Sequence, residues 1–233
     1  MHNILLVDMI SVPDGGGMSL ESEHGIYVSR LAEATQRSVI IRNVIEDEKL
    51  EPYCEQNDID IVVFAIENSS RLIQRCLNAS RGLRIPYIFV SSTMHDYSLP
   101  GHLLVPVTML EEEVYKAQVA VTFSRRLECE VSLLCAHDYG SKARTNAGKI
   151  RTLLQQADAS VKEVDAMKDS FRLYNEVIDR QRELKADMIF WTASRDYGLD
   201  DIIFGPPERK IIAKSLVPVM LVSPRDDLFS LCD

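Results

Sequence analysis

Short apolar runs of strand length alternate with segments of helical periodicity along most of the chain. Asn3–Val7 and Ile59–Ile66 are nearly continuous apolar runs, which is typical of strands buried on both faces. Between them lies Glu21–Gln36, where Tyr27 and Leu31 stand at helical spacing. Strands separated by helices of this length form βαβ units, so the pattern predicts an α/β fold with a parallel sheet.

The same reasoning predicts the other elements of the chain. Further strands are predicted at Ser38–Ile41, Ile85–Val90, Leu103–Val107, Glu130–Ala136, Val161–Val164, Met188–Thr192 and Pro218–Val222. Buried helix faces are predicted from Arg71–Ser80, from Ile150, Leu153, Leu154 and Ala157, and from Phe171, Tyr174, Ile178 and Gln181. The alternation is interrupted at Ser91–Gly101, whose serine, proline and glycine content is typical of a linker.

Composition excludes several classes of protein. With 46% hydrophobic and 26% charged residues the chain is globular rather than disordered. The longest apolar run, Leu216–Val222, is far shorter than the roughly 20 residues of a membrane span, so no membrane association is expected. Met1–Val7 lacks a basic residue and is followed by Asp8, so we expect no signal peptide.

Charge and cysteine content narrow the function further. The net charge is −9, and neither half has a basic excess, which argues against nucleic-acid binding by bulk charge. The five cysteines form no C-x-x-C pair, and we expect reduced thiols in a cytoplasm. Cys129, Cys135 and His137 alternate along one strand, but they lack a fourth ligand at a typical spacing. We therefore expect no metal, and no catalytic constellation is present.

Three strand sequences recur in the same order in the two parts of the chain. Asn3–Met9 aligns with Leu103–Met109, and Asp60–Ile66 aligns with Asp187–Ala193. The third pair is Ile85–Ser92 and Val217–Pro224, in which Ile88 aligns with Met220. The separation between copies grows by about one helix and one strand after the first match. This predicts a duplication, with repeats at 1–92 and 102–225, a linker at 93–101, and a first repeat that lacks the unit at Thr145–Val164.

The second repeat resembles the universal stress protein family. The resemblance rests on the opening LLVPVT, the segment YGLDDIIFGPPERKIIAKS and the closing VPVMLVSP. It implies two tandem open parallel sheets of Rossmann-like type, with helices on both faces. In this family the domains commonly pair antiparallel through their last strands. Here that implies pairing of Ile85–Val90 with Pro218–Val222 and an internal pseudo-dimer, with further homodimerisation left open.

The resemblance also implies where a nucleotide would bind. Nucleotide-binding members use Gly-x-x-Gly, nine residues and Gly-Ser/Thr, which brings backbone N–H groups close to phosphate. Aligned on Gly205, the first two glycines are replaced by Thr192 and Arg195, and the last pair reads Gly205-Pro206-Pro207. Proline has no N–H, so phosphate-facing donors are missing.

The adenosine-contacting aspartate of that family is retained in one repeat only. It is matched by Asp8 in the first repeat and by Thr108 in the second. The first repeat has Ala65–Ser70 in place of the glycine loop, and Glu67 within it would repel phosphate. If ATP or AMP binds at all, the resemblance implies contacts from Asp8, Thr108, Gly198 and Gly205.

Two functions follow from these motifs. The first is a non-catalytic stress-response or regulatory protein with degenerate ATP loops, which acts by binding a protein partner or itself. The alternative is a sensor that binds an adenine nucleotide or another small anion in the crevice at the strand ends. The damaged glycine motifs favour the first.

Overall fold

The computed structural model describes residues 2–9, 20–43, 50–94, 96–194 and 206–224. Within them, nine strands form one sheet with helices on its faces. In chain order the elements are β1 (Asn3–Asp8), α1 (Glu23–Thr35), β2 (Ser38–Asn43), α2 (Glu51–Gln56), β3 (Ile59–Ile66), α3 (Ser70–Ser80), β4 (Tyr87–Ser91), β5 (His102–Val107), a 3₁₀ helix (Glu111–Tyr115), α4 (Lys116–Leu127), β6 (Glu130–Cys135), α5 (Lys142–Gln156), β7 (Val161–Asp165), α6 (Leu173–Arg180), β8 (Met188–Thr192), α7 (Pro207–Lys214) and β9 (Val219–Val222).

The strand order is β2-β1-β3-β4-β9-β8-β5-β6-β7. All neighbouring strands are parallel except β4 and β9, which are antiparallel. We call β1–β4 with their helices the first half and β5–β9 with theirs the second half. The predicted α/β class with a largely parallel open sheet is confirmed.

The two halves have equivalent strand orders. We call the antiparallel pair β4–β9 the join between the two halves. Read outward from the join, the strand order is β4-β3-β1-β2 in the first half and β9-β8-β5-β6-β7 in the second. Strand β7 and the preceding helix α5 therefore have no counterpart in the described part of the first half. This agrees with the prediction that the first copy lacks the unit at Thr145–Val164. The boundaries at residues 92 and 102 and the duplication itself remain predictions.

The predicted pairing of the two last strands is confirmed. Ile88 lies opposite Met220, with Tyr87 opposite Leu221 and Phe89 opposite Val219. The sequence alignment also matches Ile88 with Met220, so the pairing is symmetric about this residue pair. Helices α1 and α4 meet across the join, as do α3 and α7. Each of these helix pairs, like β4 and β9, consists of equivalent elements from the two halves.

The core lies between the sheet and both helix layers. Strands β3, β4 and β5 are buried along nearly their whole length, as their apolar sequences require. On the first-half side the Phe64 ring stacks on Phe89 with 5.1 Å between centroids, and on the second-half side Phe123 meets Phe190 edge-to-face at 5.7 Å. Burying side chains of this size contributes roughly 1.5–3 kcal/mol each.

Two residues of the predicted buried helix faces, Leu153 and Phe171, are exposed. Tyr174 and Ile178 of the second face pack against the core, and Gln181 is buried. Phe171 was assigned to the buried side of a helix, but α6 begins at Leu173 and the Phe171 side chain is 76% exposed. The buried residues of α6 are Leu173, Glu176 and Val177. The helix starts late because the backbone before it turns at Asp169, whose carboxylate accepts a hydrogen bond from the Arg172 amide at 3.0 Å.

No helix among the described residues is long and apolar enough to cross a bilayer.

Candidate functional site

The sheet offers two separate strand-end crevices. In open α/β sheets, ligands bind at the carboxyl ends of the strands. Because β4 and β9 are antiparallel, the strands of the two halves run in opposite directions. The carboxyl ends of the first-half strands and those of the second-half strands therefore lie on opposite sides of the sheet along the strand direction. Asp8 ends β1 in the first half, and Thr108 follows β5 in the second. These two residues therefore belong to different sites.

In the second half, the hydroxyl of Thr108 is already engaged by the protein. Thr108 is buried, and its Oγ1 donates a hydrogen bond to Glu113 Oε1 at 2.8 Å. The same oxygen accepts from the Leu110 amide at 3.3 Å, and the Thr108 carbonyl accepts from Asn146 Nδ2 at 3.1 Å. A side chain held this way points into the protein rather than toward a ligand.

Glu113 is held in turn by a buried lysine. Lys116 Nζ forms an ion pair with Glu113 Oε2 and donates to the Pro106 carbonyl, and both ionised side chains are almost fully buried. Burial lowers the pKa of Lys116, and the neighbouring Glu113 carboxylate opposes that shift. A buried charge of this kind depends on its partner, because an unpaired one is strongly destabilising. We call Thr108, Glu113 and Lys116 the buried triad.

Hydrogen bonds connect the three loops that follow β5, β6 and β7. The Met109 amide donates to Ser170 Oγ at 2.8 Å. Ser170 donates to Asp138 twice, from its amide to Oδ1 at 2.8 Å and from Oγ to Oδ2 at 2.5 Å. These three residues follow β5, β6 and β7, so the bonds close the carboxyl edge of the second half over these strands.

Four large apolar side chains are exposed on these same loops. They are Leu110, Tyr139, Met167 and Phe171, which we call the carboxyl-edge patch. Leu110, Tyr139 and Phe171 directly follow the hydrogen-bonded residues Met109, Asp138 and Ser170, which brings them to one edge of the sheet. Exposed apolar groups that cluster in this way are typical of interaction surfaces.

In the first half, Asp8 lies beside a histidine. Both Asp8 and His24 are largely buried, and His24 is at the start of α1. Its ring meets Tyr97 edge-to-face at 5.1 Å, with 3.4 Å between His24 Nε2 and Tyr97 Oη. Burial lowers the pKa of His24, opposed by the Ser91 backbone and by the carboxylates of Glu23 and Asp8. The imidazole is therefore neutral at pH 7.

The segment in place of the first glycine loop is short and carries an exposed carboxylate. Glu67 is exposed, and its carbonyl accepts from the Ser69 amide at 2.6 Å. Helix α3 begins at the next residue, Ser70, whose hydroxyl accepts a hydrogen bond from Arg209 Nε of the second half at 3.0 Å. The Glu67 carboxylate thus precedes the helix start, where an anionic ligand would need to approach.

The residues predicted to contact a nucleotide are not all described. Asp8 and Thr108 are in place at the two strand ends, whereas Gly198 and Gly205 lie outside the described residues. Pro206 is the N-cap residue of α7 and Pro207 its first residue. The predicted loss of N–H donors therefore falls at the start of this helix.

Sequence reasoning missed Glu113, Lys116, Asp138 and Ser170. A signal for the ion pair was present, since Glu113 and Lys116 are three residues apart at the start of a helix. The bond between Asp138 and Ser170 joins residues 32 positions apart and had no local signal.

The cysteines are free and buried where the structure describes them, namely Cys54, Cys76, Cys129 and Cys135. Burial raises the pKa of Cys129 to about 11, which makes it a poor nucleophile at neutral pH. His137, once considered with Cys129 and Cys135, is exposed. Within the described ranges, no three His, Cys, Asp or Glu side chains are grouped as metal ligands would be.

Comparison by sequence gives no relatives. No protein-family model matches the chain, and no curated protein matches it.

Comparison by structure gives similar folds. A universal stress protein from Archaeoglobus fulgidus DSM 4304 superposes with a TM-score of 0.63 at 15% identity, over 97% of this chain and 88% of that one. A putative universal stress protein from Pseudomonas aeruginosa UCBPP-PA14 gives 0.59 at 11% identity, over 98% and 95% of the two chains. A functionally unknown protein from Pseudomonas aeruginosa PAO1 gives 0.58 at 11% identity, over 98% and 94%. The chain therefore has the fold of universal stress proteins.

Proposed function

We propose that this chain is a non-catalytic, universal-stress-protein-like regulatory protein that acts by association rather than by nucleotide turnover. The observation that carries the proposal is the buried triad. At the position matched with the adenosine-contacting aspartate, the Thr108 hydroxyl donates a hydrogen bond to Glu113, whose carboxylate forms an ion pair with Lys116. A nucleotide could bond to the Thr108 hydroxyl proton only by displacing its hydrogen bond to Glu113.

One further feature supports association. The carboxyl-edge patch presents apolar side chains where a nucleotide site would be polar, and its loops are held closed by the bonds among Met109, Ser170 and Asp138.

The free buried cysteines agree with a reducing, cytoplasmic location, which is part of the proposal. The proposal also takes the two halves as duplicated repeats forming an internal pseudo-dimer, supported by the symmetric pairing at Ile88 and Met220.

The alternative function is anion or adenine-nucleotide sensing in the first half, and one observation favours it. Asp8 ends β1 as a largely buried carboxylate beside His24, as a group that binds a ribose or a base would. Glu67 opposes this alternative because its exposed carboxylate stands where phosphate would approach.

Thermal unfolding and titration calorimetry with ATP and AMP separate the two functions. A ligand at 100 times its dissociation constant adds about 2.7 kcal/mol to the free energy of unfolding, which gives a clear rise in melting temperature. The proposal expects no such rise, no heat of binding and no hydrolysis. Two variants assign any binding that is seen. If nucleotide binding is lost in Asp8→Asn but retained in Thr108→Val, the sensor function is supported. If nucleotide binding is lost only in Thr108→Val, the second half binds the nucleotide.

A further inference from the structure

Strand β2 has an open edge where its counterpart in the second half has a neighbour. By strand order β2 corresponds to β6, which pairs with β5 on one side and β7 on the other. Strand β2 pairs with β1, and no other described strand pairs with it. No strand in the described part of the first half covers this edge, so a strand that is interior in one half is an edge strand among the described residues of the other.

The hydrogen-bonding groups of this edge alternate in direction. The Ser38 amide donates to the His2 carbonyl at 3.3 Å and therefore faces β1. In a parallel ladder alternate residues face opposite neighbours, so the amides and carbonyls of Val39 and Ile41 point outward. Among the described residues, none accepts a hydrogen bond from either of these amides. Within the described ranges, this edge therefore has outward-facing amides at strand spacing that have no backbone acceptor.

The opposite edge of the sheet is protected and this one is not. Strand β7 carries exposed Lys162, Glu163 and Asp165, and the two acids pair with Arg151 at 2.9 Å and Arg144 at 3.0 Å. Charged side chains on an edge strand prevent pairing with other strands.

Strand β2 has the opposite character. It carries Val39, Ile40 and Ile41 in succession, and Ile41 is 36% exposed. Its charged residue, Arg42, lies with its guanidinium 4.5 Å from the centroid of the Tyr53 ring of α2, and is turned back onto its own half. The edge therefore combines high β-propensity with little charge, the combination that promotes strand addition.

We propose that β2 pairs antiparallel with β2 of a second copy of this chain, extending the sheet through a two-fold dimer. Centred on Ile40, this pairing sets Val39 of one copy opposite Ile41 of the other, so that their outward amides and carbonyls exchange hydrogen bonds. Ser38 then lies opposite Arg42, and no like charges face each other. The inference does not depend on whether the chain binds nucleotide.

A second copy fits this edge for two reasons. An extended strand matches the spacing of the outward groups, and the β2 sequence is self-complementary in the register given. The chain also already joins two sheets by antiparallel edge pairing, at β4 and β9. Dimerisation through β2 repeats that geometry at the remaining apolar edge.

Sedimentation velocity over a range from micromolar to hundreds of micromolar tests the dimer. We expect a concentration-dependent shift from the 26.4 kDa monomer to twice that mass. Ile41→Lys should raise the dimer dissociation constant at least about tenfold. Leu153→Lys is the matched control, because Leu153 is also 36% exposed but lies on α5 of the other half. It should leave the dissociation constant unchanged.

A proline pair tests the strand geometry itself. Ile41→Pro removes an outward N–H but leaves the ladder with β1, so the monomer should fold while dimerisation is lost. Glu163→Pro makes the corresponding outward change on β7 and should leave the dimer intact. A wild-type protein that stays monomeric throughout, including one whose edge is covered by another part of its own chain, would overturn the proposal. So would a dimer that tolerates both substitutions of Ile41.

Discussion

The two halves of the sheet share a strand order but differ in the number of described strands and in the residue at the end of the first strand. The second half has five strands, and Thr108 after β5 donates a hydrogen bond to Glu113. The first half has four strands among its described residues, and the carboxylate Asp8 stands at the end of β1. The larger half thus has a hydrogen-bonded threonine after its first strand, and the smaller half has a carboxylate at the end of its first strand. The comparison indicates that the paired edges, rather than a ligand site, are what the two halves have in common.

The largest effect is expected at the join itself. Ile88→Asp places a charge at a fully buried position and should lower the free energy of unfolding by about 4 kcal/mol or more, a large fraction of the roughly 5–15 kcal/mol of an ordinary domain. Adding Met220→Lys places an opposite charge directly across from it, so the double variant should recover about 1–3 kcal/mol relative to the sum of the single variants.

Met188→Lys provides the control for this cycle. Met188 is equally buried but does not lie opposite Ile88, so its combination with Ile88→Asp should show no recovery. Urea denaturation measures all five variants and the wild type. If the free energy of unfolding lost in the Ile88→Asp, Met220→Lys double variant equals the sum of the losses in the two single variants, the two residues do not face each other in solution.

A smaller loss is expected in the second half alone, at the buried triad. Lys116→Met leaves the Glu113 carboxylate buried without its counterion and should cost about 3–5 kcal/mol. Glu113→Gln combined with Lys116→Met removes both charges and should restore most of that loss. Chemical denaturation compares the variants. A Lys116→Met variant as stable as the wild type would show that the Glu113 carboxylate does not depend on the Lys116 charge. That result would contradict the interpretation of the buried triad as a paired, closed site.

The smallest effect is expected in the first half and depends on pH. Burial lowers the pKa of His24 in the folded protein, so as pH falls below about 6.5 the unfolded chain takes up the proton first. The contribution of neutral His24 to the free energy of unfolding is therefore complete above about pH 6.5. It is lost as the pH falls to the pKa that His24 has in the folded protein. His24→Gln should therefore flatten the stability profile between pH 7 and pH 5.

His102 of the second half provides a comparison for His24. Burial also lowers its pKa, and its Nε2 lies 2.7 Å from Ser132 Oγ. His102→Gln should flatten the profile in the same direction, and the double variant should flatten it further. Unfolding curves measured at several pH values check this. An unchanged slope in His24→Gln would mean that His24 is solvated and does not contact Tyr97 in solution.

The sequence predicted the strands well because their signals are local. The run Ile59–Ile66 is apolar enough to indicate a buried strand without further information, and β3 has those bounds. The pairing of β4 with β9 was predicted from the resemblance to universal stress proteins, and it agrees with the need to cover apolar edge strands. Phe171 was misplaced because helical spacing counts residues and does not show where a helix starts.

The site was less predictable than the fold. The Thr108 substitution was visible in the sequence, but its consequence depends on Glu113 and Lys116, which reach the strand end only after the chain turns back through the 3₁₀ helix. The bonds among Met109, Asp138 and Ser170 join three separate loops, so spacing along the chain gives no indication of them.

The paired strands β4 and β9 hold the two halves of the molecule together. A protease site inserted after the exposed Ser98 allows the chain to be cut between the halves without touching β4 or β9. Size-exclusion chromatography with light scattering then compares cut and uncut protein at the same concentration. We expect the cut protein to keep the mass of the uncut protein and to separate into two fragments only in denaturant. Two fragments that elute separately under native conditions would contradict the claim.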